Sequence, residues 1–516
     1  MNLPDLNLLN VLLAAAPLLV VLYLMMWRNW GGAKAGPAGF VVALVVSLVF
    51  FGANLPLILV SIGKAFLLAL FVLYIIWMAL LFYHVVDDAG VIAAMSSAVG
   101  GLARNRASQA LLVAWLFGSF LQGASGFGVP AAVVAPLLLG LGFAPNVAVV
   151  IALIGHGWAV TFGSLGNSFN VMVGASGYTV EFLATESSLL LALCCFACGI
   201  LVLWWTGKWA ALRSAWAELL VFGLLMAGTQ WALAEAGLFA VAALGGGMVG
   251  LLAGMLFYQR QSSRGGQGLS WGHLGQTFLA YIILTVIILL GELVLDDFLE
   301  AVVINPVFPE VTTSFGWLTP EGTGRSINLF GHAGALLFYS SVVVFLYYRW
   351  RGPLNGKKDY AWRPIWQRTV KRSKSSTISI LFLMGMAIIM QHAGMTQLLA
   401  EMMSEYTGRL FPTISPVIGA LGAIMTGSNT NSNVLFTTLQ QQTALSLGLA
   451  VAWILASQTA GGAIGSVFAP AKIIVGCSTV ADADSGTVLR LAVISGGVII
   501  LLLAVVMTLM TLFGVV

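Results

Sequence analysis

The hydrophobic pattern of this 516-residue chain consists of apolar runs that recur from end to end. Roughly 20 apolar residues form one helical crossing of a bilayer, and most of these runs approach that length. The spans they predict are residues 6–27, 38–60, 64–86, 146–178, 187–206, 216–236, 238–258, 274–295, 330–348, 375–393, 448–478 and 488–513. The pattern therefore predicts an all-α polytopic membrane protein with about twelve transmembrane spans.

Two further apolar segments, 108–142 and 411–446, are interrupted by polar stretches rich in small residues. The interruptions are Gln122–Pro130 and Thr426–Asn433. Lipid cannot satisfy backbone groups in such a stretch, so at membrane depth it must be buried in protein or line a wet cavity. Two interrupted segments in corresponding halves of a chain are the best sequence indication of a transporter's binding site.

Each interrupted segment could cross the membrane or return to its own side as a re-entrant hairpin. With two hairpins, 13 basic residues in the later loops fall on one side, and only Arg325 and Arg409 fall on the other. The 13 are Lys208, Arg213, Arg260, Arg264 and the nine basic residues of the polar loop 349–374. Arg28, Lys34, Arg104 and Arg106 lie on the same basic side. Because basic loops remain in the cytoplasm, this bias predicts hairpins and places both termini on the periplasmic side.

Two hairpins that enter from opposite sides form an inverted repeat, an architecture of many secondary transporters. A shift of 302 residues superposes Gly163-Ser164 on Gly465-Ser466 and Val173-Gly174 on Val475-Gly476, which supports the repeat.

The spans 146–178 and 448–478 are longer than the roughly 20 residues that a crossing needs. Glycine and small polar residues occupy the middle of each, at 163–168 and 459–466. We predict two discontinuous helices that face the hairpin tips. The alternative is a long tilted helix whose small residues allow tight packing.

Composition agrees with a membrane protein, since 60% of residues are hydrophobic and 8% are charged, against about 25% charged in soluble domains. No room remains for a separate soluble domain. The net charge of +4 comes mostly from loop 349–374 and reports membrane orientation rather than nucleic-acid binding. The four cysteines lie in apolar surroundings without metal-ligand spacing, and no enzyme or cofactor motif is present. We expect no metal, no cofactor and no enzymatic activity.

The hairpin tips and broken helices bring helix N-termini together, and such termini bind carboxylates through exposed N–H groups. Polar side chains at the tips add hydroxyl and amide groups, which would suit a substrate carboxylate or hydroxyl. The predicted substrate-binding residues are Gln122, Ser125, Gly126, Phe127, Ser428, Asn429, Thr430, Asn431, Asn433 and Lys472. Secondary candidates on the two long spans are Ser164, Asn167, Asn170, Gln458, Thr459 and Ser466. The alternative role for these groups is helix capping and interhelical hydrogen bonding.

Two ionisable residues have alternatives that the sequence leaves open. Lys472 either reaches a substrate carboxylate or snorkels to the cytoplasmic interface. His156 lies midway along its span, where an imidazole can carry a proton or stay neutral and hydrogen-bonded to the hairpin.

The stretches 122–130, 427–433 and 461–472 resemble the most recognisable motifs of the lactate permease family, and the similarity covers essentially the whole chain. This resemblance implies import of lactate, or in some members glycolate, by proton symport across the bacterial cytoplasmic (inner) membrane. It also implies the elevator motion of the wider ion-transporter superfamily. Ser428-Asn429-Thr430 matches the superfamily's tip signature, whereas Ser125-Gly126-Phe127 departs from it. That departure speaks against a symmetric sodium site and is compatible with protons.

The sequence therefore predicts a proton-coupled importer of L-lactate or a related 2-hydroxy monocarboxylate. A sodium-coupled carboxylate or ion transporter of the same superfamily is the alternative, and a channel or sensor-like binding protein is a third class. The predicted organisation is scaffold 1–107, transport unit 108–178, scaffold 187–410, transport unit 411–478 and a last span 488–516. The glycine-rich helix 238–258 suits a homo-oligomer contact as well as internal packing.

Overall fold

A computed structural model describes residues 3–28, 30–100, 102–103, 105–126, 128–262, 271–293, 295–299, 302–357 and 359–516. The predicted site residue Phe127 lies outside the described residues. The same holds for three of the basic residues used to predict orientation, which are Arg104, Arg264 and Lys358.

Helices account for most of the described chain. The helices up to the middle of the chain are α1 (Leu8–Met26), α2 (Gly32–Phe50), α3 (Leu55–Asp88), α4 (Val91–Gly100), α5 (Arg106–Ala124), α6 (Val129–Gly140), α7 (Pro145–Gly155), α8 (Gly163–Ser176), α9 (Val180–Glu235) and α10 (Phe239–Ser262). The later helices are α11 (Trp271–Leu293), α12 (Asp296–Leu299), α13 (Ala333–Arg351), α14 (Trp362–His392), α15 (Met395–Thr407), α16 (Phe411–Thr426), α17 (Asn429–Leu447), α18 (Val451–Val467), α19 (Pro470–Ser478) and α20 (Ser485–Leu512).

Within the described residues, 11 helices are long and apolar enough to cross a membrane, or up to 12 if a bent pair counts as one span. The prediction of a helical, multi-pass membrane protein is confirmed.

The first interrupted segment, α5 and α6, is a helical hairpin. A Cβ placed on Gly118 of α5 would lie 3.9 Å from Val134 of α6, and these positions are nearly equidistant from the tip at Gly126. Gly126 has a φ of +59°, a left-handed conformation that glycine adopts without strain. The residues from Leu111 to Phe117 in α5 form a π-helical stretch, and all of them are buried.

The second interrupted segment, α16 and α17, is also a helical hairpin. Ser432 Oγ donates to the carbonyl of Gly419 at 2.7 Å, and Gln440 Nε2 donates to the carbonyl of Ser415 at 3.1 Å. These bonds join positions at increasing distance from the tip at Gly427, where φ is +72°. The two arms therefore run antiparallel.

The first long span is broken as predicted. Helices α7 and α8 differ in direction by 52°. Ser164, Leu165 and Gly166, inside the predicted stretch 163–168, all have positive φ.

The second long span breaks at a different place from the one predicted. The expected break at 459–466 is wrong, because α18 is continuous to Val467 and the chain leaves the helix at Phe468 and Ala469. Gly461 and Gly465 lie against backbone atoms of α16 instead, and Gly462 lies against the Asn429 side chain of α17. They permit close helix packing rather than a break.

The predicted bounds of one span are also wrong, whereas the division of another helical region is confirmed. The span 38–60 is divided, since α2 ends at Phe50 and Gly52 (φ +66°) leads to Asn54, which caps α3 with its side chain. The spans 187–206 and 216–236 are confirmed as two helical segments of α9, because the backbone leaves helical geometry at Gly207, Lys208 and Ala215. Gly199 lies against Leu219 and Gly223 lies against Phe196, so the two segments run antiparallel and pack against each other.

The polar loop 349–374 is mostly helical, which corrects the prediction of a loop. Helix α13 continues to Arg351 and α14 begins at Trp362. Basic side chains on an exposed face do not prevent a helix from extending beyond the apolar span.

The structure is not purely helical, which corrects the all-α prediction. Short antiparallel strand pairs between residues 303 and 328 form a β-hairpin, and the paired strands are Val303–Ile304 with Ile327–Asn328, Val307–Phe308 with Gly322–Thr323, and Val311–Thr312 with Leu318–Thr319. We call this segment the β-cap. Asn54 Nδ2 donates to its Thr312 carbonyl at 2.8 Å, which anchors it at the N-terminus of α3.

The glycine-rich helix α10 packs inside the protein. A Cβ on Gly246 would lie 2.7 Å from the Met226 carbonyl of α9, and one on Gly247 would lie 2.6 Å from the Phe120 backbone of α5. This patch therefore supports the first hairpin.

Candidate functional site

A cavity of about 370 Å³ lies where the two hairpin tips meet. The first turns of several helices line it, with Gly32 and Ala33 from α2, Asn429 to Asn431 from α17, and Ala471 and Lys472 from α19. Gly128, the residue before α6, also lines it. Because helix N-termini carry exposed N–H groups and partial positive charge, this convergence favours an anion.

The tip of the second hairpin presents a capped helix N-terminus to the cavity. Ser428 has extended backbone geometry and its Oγ accepts from the Asn431 N–H at 3.3 Å, as an N-cap residue does. Thr430 accepts a hydrogen bond from Asn167 Nδ2 at 2.9 Å and shares one with Ser168 at 3.0 Å. The tip is therefore joined directly to α8, the second half of the first broken helix.

Two buried threonines, Thr161 and Thr459, join the two broken spans behind the cavity. Their hydroxyl oxygens are 3.2 Å apart. Asn429 Nδ2 donates to both, at 3.1 and 3.3 Å, and Asn433 Nδ2 donates to Thr459 at 3.0 Å. All four side chains are buried, so this network holds the second tip against both broken helices.

Three asparagine carbonyl oxygens in this network have no hydrogen-bond partner among the described residues. They are the Oδ1 atoms of Asn167, Asn429 and Asn433. A buried carbonyl oxygen without a partner is costly, so an unpaired set at one place indicates a ligand that would satisfy it.

Lys472 points back from α19 towards the helix break. Its ammonium donates to Ser466 Oγ at 3.2 Å, and the residue lines the cavity. The structure places the Lys472 side chain in the cavity wall.

A polar face of α14 completes the cavity and was missed in the sequence. Arg372, Ser375, Ser376 and Ser379 line it, at the i, i+3, i+4, i+7 spacing of one helix face. The Ser379 hydroxyl lies 3.3 Å from Asn431 Nδ2. The spacing was visible in the sequence, but the prediction ended the polar loop at residue 374 and so divided this face between a loop and a span.

The tip of the first hairpin contributes less to the cavity. Gln122 and Ser164 line it. Ser125 is buried, and its Oγ donates a hydrogen bond to the Leu121 carbonyl at 2.9 Å. Ser164 Oγ donates to the Ser125 carbonyl at 3.2 Å, and a Cβ on Gly126 would collide with Ser164 Oγ. The tip is therefore held in place by contacts of Ser164 with its backbone, and few of its own side chains face the cavity.

His156 is buried at the end of α7, where the first break begins, and it does not line the cavity. Its Nδ1 lies 2.7 Å from the Ala152 carbonyl, so this nitrogen carries the proton and donates. Nε2 is then an acceptor, and it has no partner among the described residues.

The remaining predicted residues lie behind the cavity. Gln458 hydrogen-bonds to Ser432 Oγ at 3.1 Å and to Gln440, inside the second hairpin. Asn433 and Thr459 belong to the buried network, and Asn170 is buried on α8 away from the cavity lining.

Comparison with known proteins gives matches along nearly the whole chain. The model of the L-lactate permease family matches residues 10–514. An L-lactate permease of Bacillus subtilis is 27% identical over 552 residues, covering 97% of this chain and 96% of that protein. The glycolate permease GlcA of Escherichia coli is 25% identical over 519 residues, covering 91% and 90%. Among solved structures, the YdaH transporter of Alcanivorax borkumensis has a TM-score of 0.49 at 14% identity, covering 88% of each chain.

Proposed function

The chain belongs to the L-lactate permease family, whose members are permeases rather than enzymes, and we propose that it imports L-lactate or glycolate by proton symport. The observation that carries this proposal is the convergence of helix N-termini with Lys472 and Arg372 on one cavity. A volume of about 370 Å³ suits a small ligand. The relatives named as L-lactate and glycolate permeases direct the choice to a 2-hydroxy monocarboxylate.

We assign the substrate carboxylate to the N-terminal turn of α17 and to Lys472. The N–H groups that follow Ser428 and the Lys472 ammonium are charge-complementary to a carboxylate, and hydrogen bonds to charged groups are stronger than neutral ones. The 2-hydroxyl would bond to Asn167 Oδ1, which has no partner in the described structure. Ser375 and Ser376 on the opposite wall are alternative hydroxyl partners.

The test is uptake of radiolabelled L-lactate and glycolate by proteoliposomes under an inward proton gradient, with and without sodium. Concentrative uptake driven by protons alone is the expected result. Lys472→Gln should raise KM by about tenfold or more, because a charge-assisted hydrogen bond to the carboxylate is lost. Lys371→Gln, an exposed lysine of α14 outside the cavity, is the matched control. Equal effects of the two substitutions would contradict the assignment of Lys472.

We propose that His156 carries the coupled proton. Its Nε2, which has no partner in the described part of the chain, is a proton acceptor at the first helix break. It lies beside the hairpin residue Gly118, where a Cβ would lie 3.8 Å from the His156 Cβ. His156→Ala should reduce proton-driven uptake more than exchange of labelled for unlabelled substrate. His84→Ala, at a buried histidine bonded to Thr369 at 3.0 Å, is the control. Loss of both activities to the same extent would refute a coupling role.

Sodium coupling is a second candidate, favoured by the three asparagine carbonyl oxygens that lack a partner within the described ranges. Amide carbonyls and threonine hydroxyls are hard oxygen ligands of the kind that bind alkali and alkaline-earth cations. Under this alternative, uptake would require sodium, and Thr459→Val would raise the sodium concentration needed for half-maximal uptake. Uptake that is independent of sodium would exclude it.

We also propose that the two hairpins are re-entrant, that the chain is an inverted repeat in the bacterial inner membrane, and that both termini are periplasmic. The 302-residue shift supports the repeat, since it places Ser164–Gly166 on Ser466–Phe468, where the second span breaks. Labelling of cysteines introduced at Leu6 and Phe513 with a membrane-impermeant maleimide tests the orientation. Labelling in intact spheroplasts is expected, and protection of both sites would reverse the topology.

A further inference from the structure

Two further cavities lie at the other end of α14, beneath the β-cap. Their volumes are about 450 and about 340 Å³, and both are lined by Lys64, Gln391 and His392. The larger one is also lined by Arg325 of the β-cap. We call the two together the vestibule.

The vestibule and the central cavity lie along the same three helices. On α3, Leu68 lines the vestibule and Ile76 lines the central cavity. On α14, Ile388 and Ile380 do the same. Eight residues separate each pair, which is about 12 Å along a helix axis. On α8 the corresponding residues run from Gly174 back to Ser168, about 9 Å.

An apolar layer separates the two spaces. Val72 of α3, Val171 of α8 and Leu383 of α14 lie between the two sets of lining residues, and each is fully buried. A Cβ on Gly174 would lie 2.6 Å from Leu68, so α8 and α3 touch at the floor of the vestibule. A solute in the vestibule is therefore one closed layer away from the central cavity.

The larger vestibule cavity is electropositive. The lining includes Lys64, Arg325 and His392 and no carboxylate among the described residues. No ion pair in the described part of the chain involves Lys64 or Arg325. The Arg325 guanidinium lies 4.3 Å over the Phe71 ring, and its Nε is buried without a hydrogen-bond partner among the residues that the structure describes. Glu321 lines only the smaller cavity.

A guanidinium held on an aromatic face with an unsatisfied N–H, beside an ammonium and an imidazole, has the chemistry of a carboxylate site. His392 Nδ1 is held by Ser61 Oγ at 2.9 Å, which orients the ring. Since the cavity shares three helices with the central site, an anion bound in it would lie on a path to that site.

We propose that Lys64 and Arg325, with His392, form a second small-carboxylate site, which captures the substrate before it enters the central cavity. The identity of the carboxylate as L-lactate or glycolate rests on the proposed function. Binding in the vestibule raises the local substrate concentration next to the apolar layer, and positive charge in a cleft steers anions towards it.

The transport test uses right-side-out membrane vesicles and radiolabelled L-lactate. The double variant Lys64→Gln/Arg325→Gln should raise KM for uptake about three- to tenfold while the maximal rate stays within about twofold, because steering acts on association. It should also flatten the salt dependence of KM. Lys64→Arg/Arg325→Lys should restore KM. Arg409→Gln, an exposed arginine outside both cavities, is the charge-matched control.

An unchanged KM in the double variant, or an equal shift in Arg409→Gln, would overturn the proposal. If the double variant changed efflux of L-lactate but not its uptake, the proposal would also be overturned, because the site would then act on substrate that leaves the cell.

A binding test separates this inference from the proposed function. Acetate, as a bare carboxylate probe, should raise the melting temperature of the purified protein above an equal concentration of chloride. The shift should persist in Lys472→Gln and be smaller in Lys64→Gln/Arg325→Gln. If the wild type transports neither L-lactate nor glycolate but keeps this pattern, the vestibule site stands and the proposed function fails. If the wild type transports L-lactate or glycolate, but acetate raises the melting temperature equally in the wild type and in Lys64→Gln/Arg325→Gln, only the proposed vestibule site is refuted.

Discussion

Substitution of Gly461 by alanine tests how the second hairpin is joined to the broken helix behind it. Gly461 of α18 faces Pro416 of α16, and an added Cβ would lie 2.8 Å from its Cα and 2.7 Å from its carbonyl carbon, with the carbonyl oxygen closer still. The neighbours are backbone atoms, so no side-chain rotation can relieve the contact. Gly419 and Gly465 meet the facing helix backbone in the same way.

The size of the effect follows from this geometry. Carbon atoms rest at about 3.5–4.0 Å, so the two helices must separate by roughly 0.7 Å or more at Gly461. Inserting a methyl group into a tightly packed interface costs about 1–3 kcal/mol. Because both surfaces are helix backbone, the cost should lie near the upper end, about 3 kcal/mol. Separation would also stretch the neighbouring contact of Ser415 Oγ with the Ile454 carbonyl, now 3.1 Å.

Thermal unfolding of the detergent-purified protein, with the fraction of monodisperse protein after heating, measures this effect. Gly461→Ala should unfold at a clearly lower temperature and lose substrate binding in parallel. Gly497→Ala is the matched control, since Gly497 lies within α20 and its Cβ would have no atom within 4 Å. That change should be neutral or stabilise slightly, because alanine favours the helix. Equal melting temperatures for the two variants would refute the close-packed interface.

Two further predictions concern charged groups outside the cavity. His332, beside the N-terminus of α13, is buried, and burial together with Arg325 lowers its pKa from 6.5 to about 4. Between these values the unfolded chain binds a proton that the folded protein does not, so stability should fall by on the order of 3 kcal/mol as pH drops from about 7 to 4. His332→Asn, which keeps an N-cap acceptor, should reduce this acid sensitivity in melting curves at pH 7 and 5. Asp88→Asn should cost about 1–2 kcal/mol in denaturant titrations, because Asp88 is buried and pairs with Lys357 at 2.6 Å and Arg368 at 2.8 Å, both half-exposed. A stability equal to wild type would show that the two cations need no partner.

The hairpins and the first helix break could be predicted from the sequence because one local feature decides each. Polar residues of Gln122–Pro130 and Thr426–Asn433 stand out against apolar neighbours, and lipid excludes unsatisfied backbone. In the first break, Ser164 and Leu165 adopt the left-handed conformation beside Gly166. The composition of these stretches and their structural role are therefore directly linked.

The second break could not be located from composition, because glycine has two uses in a helix. Gly461, Gly462 and Gly465 resemble a helix-breaking stretch, but in the structure they permit α18 to contact the second hairpin, which is formed by α16 and α17. Only the position of the facing helix distinguishes the two uses. The actual break precedes Pro470, which begins α19. A proline at the first turn of a helix marks a boundary more reliably than glycine does.

The contribution of α14 was hidden for a related reason. Its cavity face carries Arg372 at one end and Ser379 about two turns further on, across the boundary between basic and apolar sequence. A helix that leaves the membrane keeps its faces, so the polar stripe continues through that boundary. The β-cap was missed because its paired segments are two residues long, too short for an alternating pattern to emerge.

The distribution of hydrogen bonds indicates which parts would move together in transport. Residues of α8 and the second hairpin share several bonds, including Asn433 Nδ2 to the Ser168 carbonyl at 2.9 Å and Gln441 Nε2 to the Ser176 carbonyl at 2.9 Å. Between that hairpin and α14, Asn431 Nδ2 donates to Ser379 Oγ at 3.3 Å, and apolar side chains of both elements pack in one cluster. Directional bonds fix a geometry, whereas an apolar interface can slide with little change in energy. We therefore expect the units 108–178 and 411–478 to move as one body against α14. A disulfide engineered between α14 and α17 should then abolish transport, while one between α8 and α17 should be tolerated. The opposite pattern would place the moving boundary inside the cavity.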